Sequence, residues 1–312
     1  MLAGAPVLRP DLKHPGIRLA VASALLFALL RWILPPADLL AAAAAAQPRW
    51  LLLAASLTPI GLLIQWWKWR RLVQAGLPGI GEGDIVQSLF TGFGLGLLTP
   101  GRLGELGRAV GWQGDRLRGT MLATADRLVS SFVTLWVGAL GALYVAPVLW
   151  GMWAVGAGAV VGLAWYRFGH RIPRRLAPWR RLSMLTDVGW QGWVGNASAA
   201  VLFNLLFFLQ MFCLLRSTGP VPEGAIMAIP AMFALKTLLP ISLMDLGVRE
   251  GAAVGVLGTV GVGAATAVHA SLMLFCLNVL APGVVGLLVL SLVTRRNQFS
   301  THPKRVEFAH VR

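Results

Sequence analysis

Charge is scarce in this chain: of 312 residues only 12 are acidic, and all charged types together make up 12%. A soluble domain ordinarily carries about 25% charged residues, so an ordinary soluble enzyme is excluded, and so is a disordered, highly solvated protein. Cysteine is limited to Cys213 and Cys276, both inside apolar runs, which excludes a disulfide framework. The five histidines are scattered without metal-ligand spacing, so neither a metal nor another cofactor is expected. Phosphate-binding P-loop, HExxH and GxSxG patterns are missing, which leaves ATPase and common hydrolase chemistry without a platform.

What is present is apolar length. Hydrophobic residues make up 57% of the chain, and mean hydropathy is +0.71. Crossing the hydrocarbon core takes about 20 apolar residues. Six spans are expected: Ile17 to Leu34, Trp50 to Trp67, Met121 to Val148, Leu149 to Tyr166, Val194 to Leu215, and Ala270 to Val293. The basic flank of the first run loosely resembles a signal peptide, but the run reads well as a retained span. The fold class is therefore an all-α polytopic integral membrane protein. A segment 1–18 precedes a single transmembrane domain 19–293, and a basic tail 294–312 follows it.

The net charge of +15 is concentrated in loops. Lys68, Arg70 and Arg71 follow the second span, six arginines lie between Arg167 and Arg181, and the tail holds Arg295, Arg296, Lys304, Arg305 and Arg312. Basic loops mark the cytoplasmic side, so both termini are expected there, beside anionic lipid rather than nucleic acid. Gln65–Arg71, with its tryptophans, reads as an interfacial belt and anchor.

Two apolar regions are interrupted. Ile85 to Val110 breaks at Thr99-Pro100-Gly101 and continues Arg102-Leu103-Gly104-Glu105-Leu106-Gly107-Arg108. Ala225 to Val268 breaks at Pro240 and continues through Asp245-Leu246-Gly247-Val248-Arg249-Glu250-Gly251. Proline stops a helix by removing a donor and clashing with the preceding turn, and the freed backbone cannot face lipid. Loop parity requires the first region to enter and leave from the inside and the second from the outside, an inverted-repeat arrangement of two broken or re-entrant pairs.

Arg102, Glu105, Arg108, Asp245, Arg249 and Glu250 would each cost about 2.5–3.5 kcal/mol at membrane depth if unpaired. They must pair or face a polar cavity; Arg102 with Glu105, and Asp245 with Arg249, have helical pair spacing. Interfacial salt bridges would explain these charges structurally. Matching charged breaks in both halves are instead the pattern of a transporter site near the midplane. Lys236, just before Pro240, is either a snorkelling residue or a headgroup contact. Asp126 and Arg127 are expected to support the first break as structural partners. Pro100, Gly101, Gly104, Pro240, Gly247 and Gly251 are expected hinge positions.

At these motifs the chain resembles the transmembrane, flippase region of bacterial lysylphosphatidylglycerol synthases, which also occurs as stand-alone membrane proteins. The resemblance rests on Pro100–Glu105 with Arg108, Asp126-Arg127-Leu128, Leu239–Ser242 and Gly247–Gly251. It implies lipid translocation in the bacterial inner membrane, with Arg102, Glu105, Arg108, Lys236, Asp245, Arg249 and Glu250 contacting the headgroup. Membrane lipids and a separate lipid-synthesising enzyme would be the partners. Leu243-Met244-Asp245 departs from the family's small or polar residues there, which leaves the lipid open. With the chain ending at Arg312, the soluble aminoacyl-transfer domain is expected to be absent, so the protein would not itself be an enzyme. An intramembrane lipid-modifying enzyme using Glu105 or Glu250 as a base, and a non-transporting scaffold in a lipid-synthesis complex, stay open as alternatives, as does the oligomeric state.

Overall fold

A computed structural model of the chain describes residues 36–99, 101–112, 115–145, 187–239 and 245–300, with side chains placed as far as 292. The expected spans Ile17 to Leu34 and Leu149 to Tyr166, the hinge prolines Pro100 and Pro240, and the arginine-rich loop lie outside the described residues. Within them the secondary structure is entirely helical.

A short helix α1 (Pro36–Ala44) leads into α2 (Pro48–Gly76). Pro48 opens α2 at a position where a missing N–H costs nothing. Helix α3 (Glu82–Leu97) carries Glu82 and Asp84 in its first turn, matching the positive end of the helix dipole. After the first break comes a 3-10 segment (Leu103–Gly111), kinked at Gly107, and then α4 (Arg116–Val145). Helices α5 (Gly189–Ser217) and α6 (Ala225–Leu238) precede the second break. A short helix α7 (Val248–Ala252) continues into a π turn, Ala253–Leu257. The last rod runs through α8 (Ala264–Phe275), a π turn at Cys276–Leu280, and α9 (Ala281–Ser300).

Among the described residues four helices are long and apolar enough to cross a membrane: Pro48–Gly76, Arg116–Val145, Gly189–Ser217 and Ala264–Leu292. At about 1.5 Å per residue each exceeds the ~30 Å hydrocarbon thickness. Their outward faces are apolar, with Leu52, Leu63, Leu128, Leu202, Leu288 and Leu292 all exposed, as expected for surfaces solvated by lipid. The protein is an all-α multi-pass membrane protein.

Two boundaries differ from the sequence reading. The last span begins at Ala264 rather than Ala270, since the turn before it falls at Gly258–Gly263. Within Ile85 to Val110, left open in sequence between a re-entrant hairpin and a full helical pair, a 16-residue helix is followed by a 3-10 return that packs back on it. Helix α2 does not end at Trp67 but runs to Gly76, which carries Lys68 and Trp69 inside the bundle, where both are buried. The supposed anchor is therefore only partly interfacial: Arg70 stays at the surface, paired with Glu82 at 2.6 Å.

Packing divides the interior into two cores. One is built from Trp69, Leu72, Ile85, Leu89, Phe93, Trp112 and Leu122, drawn from α2, α3, α4 and the end of the 3-10 segment. The other gathers Met211, Leu214, Ile229, Met232, Phe233, Leu257 and Leu274 from α5 to α8. Leu97, Phe275 and Val279 bring the end of α3 against the α8–α9 rod. Helix α4 lies along α6, which ties the two halves together.

Candidate functional site

The first break is a tight left-handed turn. Gly101 (φ 54°) and Arg102 (φ 58°) both occupy positive φ, which costs a non-glycine residue energy and is found where surrounding contacts hold it. Thr99 secures the turn by accepting the Gly104 N–H at 2.6 Å and donating to the Leu95 carbonyl at 3.1 Å. The chain then winds as a 3-10 helix with three residues per turn, so positions three apart eclipse. The repeat Arg102-Leu103-Gly104-Glu105-Leu106-Gly107-Arg108 has that period. Its charged positions form one row and its glycines another.

The charged row lies in a trough on α3. A Cβ on Gly92 would come within 2.6 Å of Arg108 Cγ, and one on Gly96 within 3.1 Å of Glu105 Cγ. These two glycines, one helical turn apart, therefore leave room for a carboxylate and a guanidinium to be buried in a membrane protein.

Buried charges must be paired, and these are. Asp126 on α4 is met by Arg108 Nη1 at 3.0 Å, Lys68 Nζ at 2.9 Å and Asn196 Nδ2 at 2.9 Å. One carboxylate thus joins α2, the 3-10 segment, α4 and α5. The Arg108 guanidinium also lies 4.9 Å from the Trp69 ring centroid, a cation–π contact that strengthens when desolvated. Trp69 is itself fixed by donating to Ser88 Oγ at 2.7 Å. Glu105 is paired with Arg102, with Arg127 at 3.1 Å, and more distantly with Arg108 at 3.9 Å. Arg127 Nη2 also donates to the Gly101 carbonyl at 3.3 Å, closing the turn. Asp126 and Arg127 do not pair with one another; each reaches the first break separately.

The second break repeats the theme. Asp245 (φ 63°) and Gly247 (φ 83°) hold positive φ, and Arg102 and Asp245 are the two non-glycine residues that do so among the described residues. Glu250 reaches back to accept the Gly247 N–H at 2.7 Å, as an acid three residues into a helix can. Its other oxygen accepts from Arg249 Nη2 at 2.5 Å and from Ser271 Oγ at 2.9 Å. Arg249 lies 5.0 Å from the Phe275 ring centroid. Asp245 and Arg249, which have pair spacing in sequence, take other partners. The left-handed turn at Asp245 and Gly247 directs the Asp245 carboxylate to Lys236 at 2.8 Å, at the end of α6. Lys236 is thus ion-paired.

The two breaks converge. Arg127 of the first network lies on α4, which packs along α6, and α6 carries Lys236, the partner of Asp245 at the second break. All seven charged residues singled out in the sequence therefore belong to these two adjoining networks. Gly101 and Gly247 supply the turns, Gly104 sits inside the 3-10 segment, and Gly251 is helical, its N–H bonding the Gly247 carbonyl at 2.8 Å. Lys68, which the sequence suggests as an interfacial anchor, completes the networks together with Asn196 and Ser271, which no sequence motif singles out. Asn196 and Ser271 carry no charge to mark them in an apolar run, and Lys68 was hidden by the basic residues beside it. No group of His, Cys, Asp and Glu among the described residues could hold a metal ion.

The described residues thus define an all-α multi-pass membrane protein with charged, positive-φ turns beside two of its helix ends. The family model for the lysylphosphatidylglycerol synthase TM region matches residues 17–286, and the chain belongs to that family. No curated protein and no solved structure matches the chain.

Proposed function

We propose that the protein moves a phospholipid or lipid-linked headgroup between the leaflets of a bacterial inner membrane, with both termini in the cytoplasm. In this reading six spans surround two oppositely oriented broken pairs. Membrane lipids are the substrate, and a separate lipid-synthesising enzyme supplies them. The observation that carries it is that the two charged networks adjoin: α4, which bears Arg127 of the first, packs along α6, which bears Lys236 of the second. Charges introduced only to fasten helices have no need to converge from two unrelated turns.

The same contacts favour positioning over proton abstraction. Glu105 is ion-paired with Arg102 and Arg127, and Glu250 with Arg249, so both carboxylates are already engaged within the protein. The protein is therefore read as a transporter whose transport is facilitated, ion-coupled or driven by a partner.

The test is leaflet exchange of labelled lipids in proteoliposomes. Wild type is expected to exchange its lipid, and Arg249→Ala and Glu105→Ala to lose at least about 90% of that rate while remaining folded. A tenfold loss corresponds to about 1.4 kcal/mol. Full activity in both folded variants would return these charges to a purely structural role. A lipid product formed without any change of leaflet would favour an enzyme instead.

A further inference from the structure

Resting on that reading, we infer that the site selects lipids whose headgroup phosphate lacks a compensating ammonium, and discriminates against cationic aminoacylated lipids. The inference comes from the count and the placement of the buried charges.

Around the first break four cations, Lys68, Arg102, Arg108 and Arg127, share two carboxylates, Glu105 and Asp126. Around the second, Lys236 and Arg249 are matched one for one by Asp245 and Glu250. The combined site among the described residues therefore carries two positive charges in excess.

Placement sharpens the argument. The four carboxylate side chains are at most 7% exposed, whereas Arg102, Lys236 and Arg127 are 15%, 19% and 35% exposed. Lys68, Arg108 and Arg249 are as deeply buried as the acids, but the three outermost charges of the site are all cations, so a headgroup approaching it meets Arg127, Lys236 and Arg102 first. Guanidinium groups offer forked donors that match phosphate oxygens. A lysyl ester of phosphatidylglycerol brings two ammonium groups and a net positive charge, and it would place like charges together in a region of low dielectric. Phosphatidylglycerol or a polyprenyl phosphate brings net negative charge that the excess can neutralise. Specificity of this kind arises as much from repelling the wrong ligand as from binding the right one.

The experiment measures exchange by the full chain in neutral-lipid proteoliposomes with four acyl- or prenyl-labelled probes. These are phosphatidylglycerol, its lysyl ester, phosphatidate and a polyprenyl phosphate. At least one anionic probe is expected to exchange about tenfold faster than the lysyl ester, and the faster among the anionic probes identifies the lipid source. Arg127→Gln, which removes one excess charge, is expected to narrow that ratio, whereas Arg127→Lys preserves it. Equal or faster exchange of the lysyl ester would overturn the charge selection and leave translocation standing. A ratio unchanged in Arg127→Gln would likewise overturn it. Exchange of none of the four would sink the translocase reading together with this inference.

Discussion

Asp126→Ala is expected to lower the thermal unfolding midpoint of the detergent-solubilised protein by on the order of 10 °C. Asp126 is 5% exposed and neutralises Lys68 and Arg108 at once, while Asn196 donates to it from α5. Removing one partner of a buried ion pair typically costs about 3–5 kcal/mol, because the other charge is left unpaired. Here two cations would be stranded. For a protein of this size about 2–4 °C of midpoint accompanies each kcal/mol. Lys68→Met should cost clearly less, since Arg108 still covers the carboxylate from 3.0 Å. The order of the two variants is the diagnostic, read by scanning fluorescence of the tryptophans: Lys68→Met more harmful than Asp126→Ala would show that the carboxylate is not the centre of the network.

How far this network could be read in advance depended on the kind of signal each part leaves. Apolar length announced the long spans, because hydrocarbon thickness imposes it directly. Charges inside apolar runs announced the buried ion-pair networks, because their cost at membrane depth demands partners. Partner choice was another matter. Pair spacing on an α-helix joins Asp245 to Arg249, yet the positive φ at Asp245 and Gly247 redirects the acid to Lys236. Helical spacing carries no information about such a turn. Lys68 was concealed for a related reason: Lys68, Arg70 and Arg71 look alike in sequence, and only the angular position on a continuous α2 separates the buried residue from its exposed neighbours. The 3-10 winding of Leu103–Gly111 did leave a trace, in the three-residue repeat of charge, leucine and glycine. That repeat matches three residues per turn and not 3.6.

The glycines show how such a trace becomes a requirement, and Gly94→Val tests it. A Cβ at Gly94 would lie 2.6 Å from the Gly286 carbonyl carbon and 2.7 Å from the Leu287 nitrogen. Both are backbone atoms, which cannot rotate aside as a side chain does, so α3 and α9 must separate. Overpacking of this kind costs about 1–3 kcal/mol. The consequence reaches the site, because α3 also carries Gly92 and Gly96 against Arg108 and Glu105. Gly94→Val is therefore expected to lower the midpoint by several degrees and to slow lipid exchange more than its stability loss alone explains. Gly255→Ala is the matched control: no atom lies within 4 Å of a Cβ there, so it should be neutral, or stabilising by up to about 1 kcal/mol through the unfolded chain. Equal midpoints and equal exchange rates for the two variants would mean that α3 does not depend on its close approach to α9. Loss of exchange in Gly94→Val with an unchanged midpoint would instead mean that the close approach of α3 to α9 serves transport rather than stability.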